Sequence, residues 1–228
     1  MSEIKTIEIK AKRNNADAQK ELGSCYYYGR SVQKDFEKAM YWYTKAAEQG
    51  CTHAQYWLGH CYDNGDGVQT DEDKAMYWYK RAAEEGYYVA QFYLGCFYYQ
   101  GEGIPKNYKK AVYWYTKSAE TTFRPAHVNL GLCYYNGKGV SKDREHAARL
   151  FIKAANECDI VALQNLQFCY YNGIGVPKNT EKAINYYNQA ALRLFNEENY
   201  LGGILYYHAN RKTKTLYNLI AGKGKKER

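Results

Sequence analysis

Apolar residues recur along this chain at helical spacing, and the whole pattern repeats every 36 residues. Numbered from an anchor alanine as position 1, each unit carries apolar residues at positions 1, 5 and 8 or 9, and this run stops at a glycine in position 12. A second apolar stripe with three-then-four spacing runs from position 22 to position 29. Each unit therefore predicts a helix–turn–helix. The anchor residues are Ala18, Ala54, Ala90, Ala126 and Ala162.

The turn between the two predicted helices has a signature of its own. Glycine at position 12 can adopt the left-handed conformation that ends a helix. Asp or Asn at position 18 is a good N-cap, because its side chain accepts an unpaired backbone N–H. The turn glycines are Gly29, Gly65, Gly101, Gly137 and Gly173. The predicted caps are Asp35, Asp71, Asn107, Asp143 and Asn179.

One helix pair cannot bury its own apolar face, so the units must stack on one another. We expect the tyrosines at positions 9 and 26 and the cysteines at position 8 to lie in the resulting core. These cysteines are Cys25, Cys61, Cys133 and Cys169. The tryptophans at position 25 are expected to join them, and they are Trp42, Trp78 and Trp114.

The last two units depart from the pattern. Position 25 becomes Leu150 and then Tyr186, and Gln167 replaces the glycine that the other units have at position 6. The closing glycine at position 33, which is Gly50 in the first unit, becomes Cys158 in the fourth. We therefore expect the helix junctions in the second half of the chain to differ.

The consensus LGxCYYNGxGVxKDxxKAxxWYxKAA resembles the Sel-one-like repeat (SLR) family, a relative of the tetratricopeptide repeats. The likeness runs from Ala18 to about Phe195. It implies an all-α fold, a right-handed α/α superhelix (solenoid) of five 36-residue helix–turn–helix repeats with helical caps. It also implies a scaffold or adaptor that binds other proteins.

In this frame residues 1–17 form an N-terminal capping helix, in which Ile7 and Ala11 fall where later copies have Tyr43 and Ala47. Residues 198–221 are predicted to form C-terminal capping helices, and residues 222–228 a basic tail. The five repeats are predicted over residues 18–53, 54–89, 90–125, 126–161 and 162–197. No apolar stretch reads as a membrane span or a secretory signal, so we expect a cytoplasmic protein, or one delivered to a host cytosol without a visible N-terminal signal.

The net charge of +8 is confined to the two ends of the chain. Residues 211–228 hold seven basic residues against one acidic, and residues 1–13 hold four against two, so the ends account for all of it. A neutral body lacks the basic stripe of a nucleic-acid reader, so no nucleic-acid partner is expected. The tail offers at most a weak contact with an anionic surface.

No catalytic constellation stands out, since His127 and His146 have no serine or cysteine partner at a recognised spacing. The densest metal-like cluster is Cys51, His53, His60 and Cys61, whose side chains would have to converge from a loop and two sides of one helix. We therefore expect no enzymatic activity, no cofactor, no metal, no small-molecule substrate and reduced cysteines. Three alternatives remain: a host-interaction or effector-type protein of a microbe, a β-lactamase-like hydrolase, which is an activity suggested for some family members, and a membrane- or nucleic-acid-associated factor that acts through the basic tail.

The resemblance to tetratricopeptide arrays implies that the first helix of each repeat lines a concave groove, with positions 3, 7, 10 and 11 facing it. Aromatic and amide side chains there suit a protein or peptide partner. At position 11 the alternative is that asparagine before glycine simply ends the helix. The predicted partner-binding residues are Tyr56, His60, Asn64, Phe92, Tyr99, Gln100, Tyr135, Asn136, Tyr171 and Asn172.

Overall fold

The computed structural model describes residues 3–101 and 104–197, except the side chains of residues 191, 192 and 194–197. These residues form eleven α-helices and no strand, so the all-α prediction is confirmed. The helices are α1 (Glu3–Lys12), α2 (Ala16–Tyr28), α3 (Phe36–Glu48), α4 (Thr52–Asn64), α5 (Glu72–Glu84), α6 (Tyr88–Gln100), α7 (Tyr108–Ala119), α8 (Arg124–Asn136), α9 (Arg144–Asn156), α10 (Ile160–Asn172) and α11 (Thr180–Glu197).

Contacts divide the chain into two compact units, Met1–Asp159 and Ile160–Arg228. In the first unit each helix from α1 to α8 packs on the next one along the chain, and in the second unit α10 packs on α11. Helix α1 buries Ala11 against Ala18 and Leu22 of α2, the first helix of the first repeat. The predicted C-terminal capping helices and basic tail lie outside the described residues.

The predicted turn chemistry is confirmed in all five repeats. The position-12 glycines have φ between 69° and 78°, the left-handed conformation that ends a helix. The side chain of each predicted N-cap accepts a hydrogen bond of 2.8–3.0 Å from the backbone N–H three residues later. These local signals set where every first helix stops and every second helix starts.

The largest fully buried side chains stand at position 26, where they are Tyr43, Tyr79, Tyr115 and Phe151. Each ring lies against the position-6 glycine of its own repeat. A Cβ added to Gly59, for example, would stand 2.8 Å from Cδ1 of Tyr79. The glycine therefore serves close packing, because it leaves the space that the ring fills.

The other side of the ring is covered by the next repeat. The ring of Trp57 stacks on Tyr43 with centroids 5.9 Å apart and planes at 9°. The ring of Tyr93 stacks on Tyr79 at 5.1 Å and 10°. The buried ring thus joins the two helices of its own repeat to the first helix of the next.

The tryptophans at position 25 are half-buried, so the expectation that they lie in the core is wrong, whereas Tyr43, Tyr79 and Tyr115 at position 26 are buried as predicted. Position 26 points into the core, and the tryptophans pack on its edge: Trp78 lies against the cluster around Tyr43, and Trp114 against the cluster around Tyr79. The position-9 tyrosines are likewise half-buried, apart from the buried Tyr170.

The fifth repeat lacks the contact between the position-26 ring and the position-6 glycine. Gln167 takes the place of the glycine, and Tyr187 at position 26 is 58% exposed. Its neighbour Tyr186 stacks instead on Tyr170, with centroids 5.6 Å apart. A side chain at position 6 occupies the space that a buried ring needs, so the two departures in the sequence belong together.

The junctions at position 33 differ in the third and fifth repeats, as expected, but not in the fourth. Cys158 keeps a left-handed backbone with φ 71°, close to the 87° of Gly50 and Gly86 at the same position. In the third repeat, where Thr122 replaces the glycine, α7 ends at Ala119 after 12 residues, whereas α3 and α5 have 13. The junction therefore changes in the third repeat, and in the fifth repeat α11 continues through Leu194 at position 33 to Glu197.

The glycine at position 14 is required by the preceding repeat. Gly67 has φ 74°, and a Cβ added to it would lie 2.6 Å from the carbonyl carbon of Phe36, at the start of α3. Gly139 stands in the same way against Tyr108, at the start of α7. Because the neighbour is backbone, it cannot move aside as a side chain would.

We predict that Gly59→Ala destabilises the protein by about 1–3 kcal/mol through overpacking against Tyr79. In a Tyr79→Ala background the same change should stabilise it by up to about 1 kcal/mol, because alanine is the better helix former. Urea unfolding of the four proteins of this double-mutant cycle measures both values. Equal effects of Gly59→Ala in the two backgrounds would contradict the contact.

Comparing the free-energy cost of Gly67→Ala with that of Gly50→Ala separates the effect of close packing from the effect of backbone strain. Both glycines have positive φ, but a Cβ at Gly50 would meet nothing within 4 Å. We expect Gly50→Ala to cost about 1–2 kcal/mol, the strain of a left-handed alanine. Gly67→Ala should cost at least about 1 kcal/mol more, because its Cβ also overpacks against Phe36. Thermal unfolding measures the difference in stability. Similar losses of stability in the two variants would show that the close approach of Gly67 to the backbone of Phe36 is unimportant.

Candidate functional site

Polar and aromatic side chains gather between α2 and α4, on the side of the first helices. The Tyr27 hydroxyl donates to Oδ2 of Asp66 at 2.7 Å and lies 3.4 Å from Nδ1 of His60. Nδ1 of His60 is 3.7 Å from the same Asp66 oxygen. Burial, followed by the Asp66 carboxylate, raises the pKa of Tyr27, so this hydroxyl remains a donor throughout the ordinary pH range.

Trp57 covers this cluster. Its ring centroid lies 4.8 Å from that of Tyr27 and, edge-on, 5.7 Å from that of Tyr28, which is exposed. Its indole N–H donates to Nε2 of His53 at 3.4 Å. Burial, with a smaller effect of Lys20, lowers the pKa of His53, which favours the neutral imidazole that can accept this bond.

A second link of the same kind joins α6 to the turn after α8. The Lys138 ammonium donates to the Tyr99 hydroxyl at 3.0 Å and stands 4.9 Å from the Tyr99 ring centroid. The hydrogen bond to Tyr99 raises the pKa of Lys138. Both links connect position 10 of one repeat to position 13 of the next, because Tyr27 and Asp66, like Tyr99 and Lys138, are 39 residues apart.

Three of the predicted partner-binding residues are buried, so the expectation that they face a partner is wrong for them. Tyr56, His60 and Phe92 are 7%, 8% and 5% exposed. Position 3 packs on the junction at the end of its own repeat, with Tyr56 5.3 Å from Tyr87 and Phe92 5.4 Å from Phe123 between ring centroids. His60 is enclosed by Tyr27, Trp57 and Asp66.

The other predicted residues are accessible. In the first unit Tyr99, Gln100 and Tyr135 are half-buried, and Asn64 and Asn136 are exposed. In the second unit Tyr171 and Asn172 are exposed. The guanidinium of Arg144 lies 5.8 Å from the Tyr135 ring centroid. A role of these residues in binding stays a prediction.

The position-11 asparagines help to end their helices. The amide nitrogens of Asn64, Asn136 and Asn172 each donate to the carbonyl four residues earlier at 2.9 Å. This agrees with the helix-ending interpretation, and it also fixes the orientation of each amide. A fixed amide oxygen can still accept a hydrogen bond from a partner.

Sequence reasoning missed position 4, where Trp57 and Tyr93 contribute half-buried rings. The signal was the spacing of Trp57, His60 and Asn64, which are three and then four residues apart and so share one stripe of α4. Position 3, which is also aromatic in the second and third repeats, was chosen because the resemblance to tetratricopeptide arrays implies that it faces the groove.

The described residues hold no group of three or more His, Cys, Asp or Glu side chains that could bind a metal ion. The position-8 cysteines are buried, as predicted, and all seven cysteines are in the thiol form. Burial raises the pKa of Cys61 and Cys133 to about 12. Within the described part of the chain no helix is long and apolar enough to span a membrane.

Comparison with known families identifies the repeats. The Sel1 repeat family matches residues 16–51, 52–87, 89–120, 124–157 and 162–193. None of the curated proteins compared with the chain matches it.

Solved structures give the same assignment. A Sel1 repeat protein from Oxalobacter formigenes is 37% identical with a TM-score of 0.76, over 79% of this chain and 72% of its own. A protective antigen of uropathogenic Escherichia coli with an SLR fold is 35% identical with a TM-score of 0.81, over 85% of this chain. The match spans only 41% of that antigen. A Sel1 repeat protein from Klebsiella pneumoniae, 22% identical with a TM-score of 0.56, shares the fold.

The buried cysteines should resist modification in the folded protein. We expect a thiol reagent at neutral pH to label Cys61, Cys133 and Cys169 only after denaturation, because the reagent cannot reach a buried thiol. In Cys61 and Cys133 the raised pKa also keeps the fraction of reactive thiolate low. Half-buried Cys158 serves as the accessible reference. Mass spectrometry after a timed pulse measures each site, and native labelling of the three as fast as Cys158 would contradict their place in the core.

Proposed function

The chain belongs to the Sel1 repeat family, and we propose that it is a non-enzymatic scaffold that binds a peptide or protein segment along the first-helix face of its first unit. Sel1 repeat proteins are generally protein-interaction scaffolds. The proposed surface consists of the accessible side chains of α2, α4, α6 and α8 around the two cross-repeat links.

The observation that carries the proposal is the pair of cross-repeat links themselves. The bonds from Tyr27 to Asp66 and from Lys138 to Tyr99 each fix an aromatic ring to the next repeat before any partner arrives. Rings that are already ordered lose little conformational entropy on binding. A rigid aromatic surface edged by polar groups is what protein interfaces favour at their centres.

The amides add directional chemistry to this surface. Asn64 and Asn136 occupy equivalent places in two repeats, and each is oriented by its own helix. Their oxygens suit the backbone N–H groups of an extended segment, while the nearby rings suit its side chains. Because the body of the chain carries no net charge, recognition would depend on these contacts more than on long-range attraction.

The cluster of Tyr27, His60 and Asp66 contains groups that enzymes use for acid–base chemistry, but its arrangement favours a structural role. His60 is buried, and the Tyr27 hydroxyl is already bonded to Asp66. At the equivalent place in the third and fourth repeats the carboxylate is replaced by the ammonium of Lys138. Both links therefore have a hydrogen bond to a tyrosine hydroxyl in common, but they do not share a carboxylate or a histidine that could serve in acid–base chemistry.

We expect the double substitution Tyr135→Ala with Asn136→Ala to leave folding intact and to weaken partner binding by at least about 2 kcal/mol, a hot-spot magnitude. The matched control lies on the second helix of the same repeat, where Glu145→Ala with Arg149→Ala removes an exposed ion pair of 3.9 Å. Circular dichroism checks the fold of both variants.

Partners would first be captured from lysates of the source organism and of human cells, the latter because of the likeness to a protective antigen. Calorimetry would then measure the affinity of the captured partners that bind the wild type and the control variant but not the double variant. A partner that binds the Tyr135/Asn136 variant normally and fails to bind the control would place recognition on the second helices and overturn the proposal.

A further inference from the structure

The second helices of the first three repeats each carry an exposed tyrosine that does not pack in the core. Tyr41, Tyr77 and Tyr113, at position 24 of α3, α5 and α7, are 55%, 53% and 54% exposed. Each meets the following tryptophan edge-on, with centroids 5.0 Å apart and planes at 78–80°. We call these three pairs, residues 41–42, 77–78 and 113–114, the Tyr–Trp ladder.

The fold does not require the exposed tyrosines. At the same position α9 has Arg149 and α11 has Asn185, both exposed, and both helices form. Three half-exposed tyrosine rings leave roughly 300 Å² of aromatic side chain in water, since such a side chain buries about 150–250 Å² when covered. Tyrosine, tryptophan and arginine are the residues most often found at the energetic centre of interfaces.

The charges beside the ladder indicate what covers it. Each of the three helices has a cation at position 28, and a carboxylate at position 31 stands at or directly after its last residue. The cations are Lys45, Arg81 and Lys117, and the carboxylates are Glu48, Glu84 and Glu120. The cations stand close to the rings, since the Lys45 ammonium is 6.0 Å from the Tyr41 centroid and Nη1 of Arg81 is 3.5 Å from the Tyr77 hydroxyl.

A surface with equal rows of both signs is complementary to itself and selects neither an acidic nor a basic partner. A two-fold axis through the middle of the ladder turns the order of the helices around, so that α5 faces α5 of the second copy and α3 faces α7. Cations of one copy then meet carboxylates of the other, as an isologous interface requires. Ion pairs within the chain, such as that of Lys117 with Glu120 at 3.1 Å, are exposed. Replacing them by ion pairs to the second copy therefore costs little free energy.

We propose that the Tyr–Trp ladder of α3, α5 and α7 is a homodimer interface that pairs with the ladder of a second copy of this chain around a two-fold axis. The ladder tyrosines supply less than half of the roughly 800 Å² per partner that a standard interface buries, so the charged rows form a large part of the contact. The dimer is therefore weak, with a Kd on the order of micromolar, and it weakens as salt is added.

Charge exchange tests the interface. One variant carries Lys45→Glu, Arg81→Glu and Lys117→Glu, and the other carries Glu48→Lys, Glu84→Lys and Glu120→Lys. Sedimentation velocity over a wide concentration range should show the wild type in monomer–dimer equilibrium and each variant alone with at least about tenfold weaker self-association, because like charges then face each other. An equimolar mixture of the two should recover a dimer, since every contact is again between opposite charges.

Two controls separate this interface from general attraction between oppositely modified chains. Adding Tyr77→Ser to both charge variants should abolish the recovered dimer, because the ring of the central helix lies on the axis. Arg149→Glu with Lys153→Glu, made on α9 outside the ladder, should leave wild-type association unchanged. Circular dichroism and thermal unfolding confirm that each variant folds.

Three results would overturn the proposal. The first is a wild type that stays monomeric at every concentration, including one that instead binds an acidic peptide through these helices. The second is a dimer that neither charge variant weakens. The third is a mixture that recovers no dimer. None of these substitutions touches the first-helix face, so the outcome is independent of the partner proposed there.

Discussion

The structure depends on one contact, the buried ring at position 26 lying in the space left by a glycine at position 6. In the first three repeats the ring is that of Tyr43, Tyr79 or Tyr115, each fully buried. Trp57 and Tyr93, from the next repeats, stack on the first two of these rings. Because one side chain touches three helices, the packing within a repeat and the packing between repeats cannot vary independently. The fifth repeat shows the converse, since Gln167 at position 6 goes with an exposed Tyr187.

The same ring also constrains the candidate binding face. Its hydroxyl ends beside the first helix of its own repeat: Tyr43 meets Ser24 Oγ at 3.1 Å, Tyr79 donates to Asp63 Oδ2 at 3.3 Å, and Tyr115 donates to Cys96 Sγ at 3.5 Å. A buried hydroxyl without a partner is costly, so each repeat must supply one there. In the fourth repeat position 26 is Phe151, which has no hydroxyl, and position 7 is the apolar Leu132. Part of the variety on the first helices is therefore a response to the core.

Sequence reasoning reached the helices, their caps and the repeat frame because those depend on local chemistry that recurs five times. It placed Trp78 in the core beside Tyr79, although only Tyr79 is fully buried, and it chose Tyr56 as surface where its neighbour Trp57 is the more accessible ring. One residue along a helix is a rotation of about 100°, which decides between core and solvent. Both members of each pair are aromatic, so hydrophobicity could not separate them. The discriminating feature was the glycine across the helix pair, whose partner only the folded chain identifies.

The two faces of the repeats are therefore subject to different constraints. On the first helices, side chains such as Ser24 and Cys96 both bond buried hydroxyls and border the candidate binding face, so a change there alters stability as well as recognition. On the second helices, position 24 makes no contact on which the core depends, and it is Tyr113 in the third repeat and Arg149 in the fourth. A residue that the fold leaves unconstrained can follow the demands of a partner alone. Tyrosine retained at that position in three consecutive repeats is thus better evidence of a partner than an aromatic residue beside the core, which packing already explains.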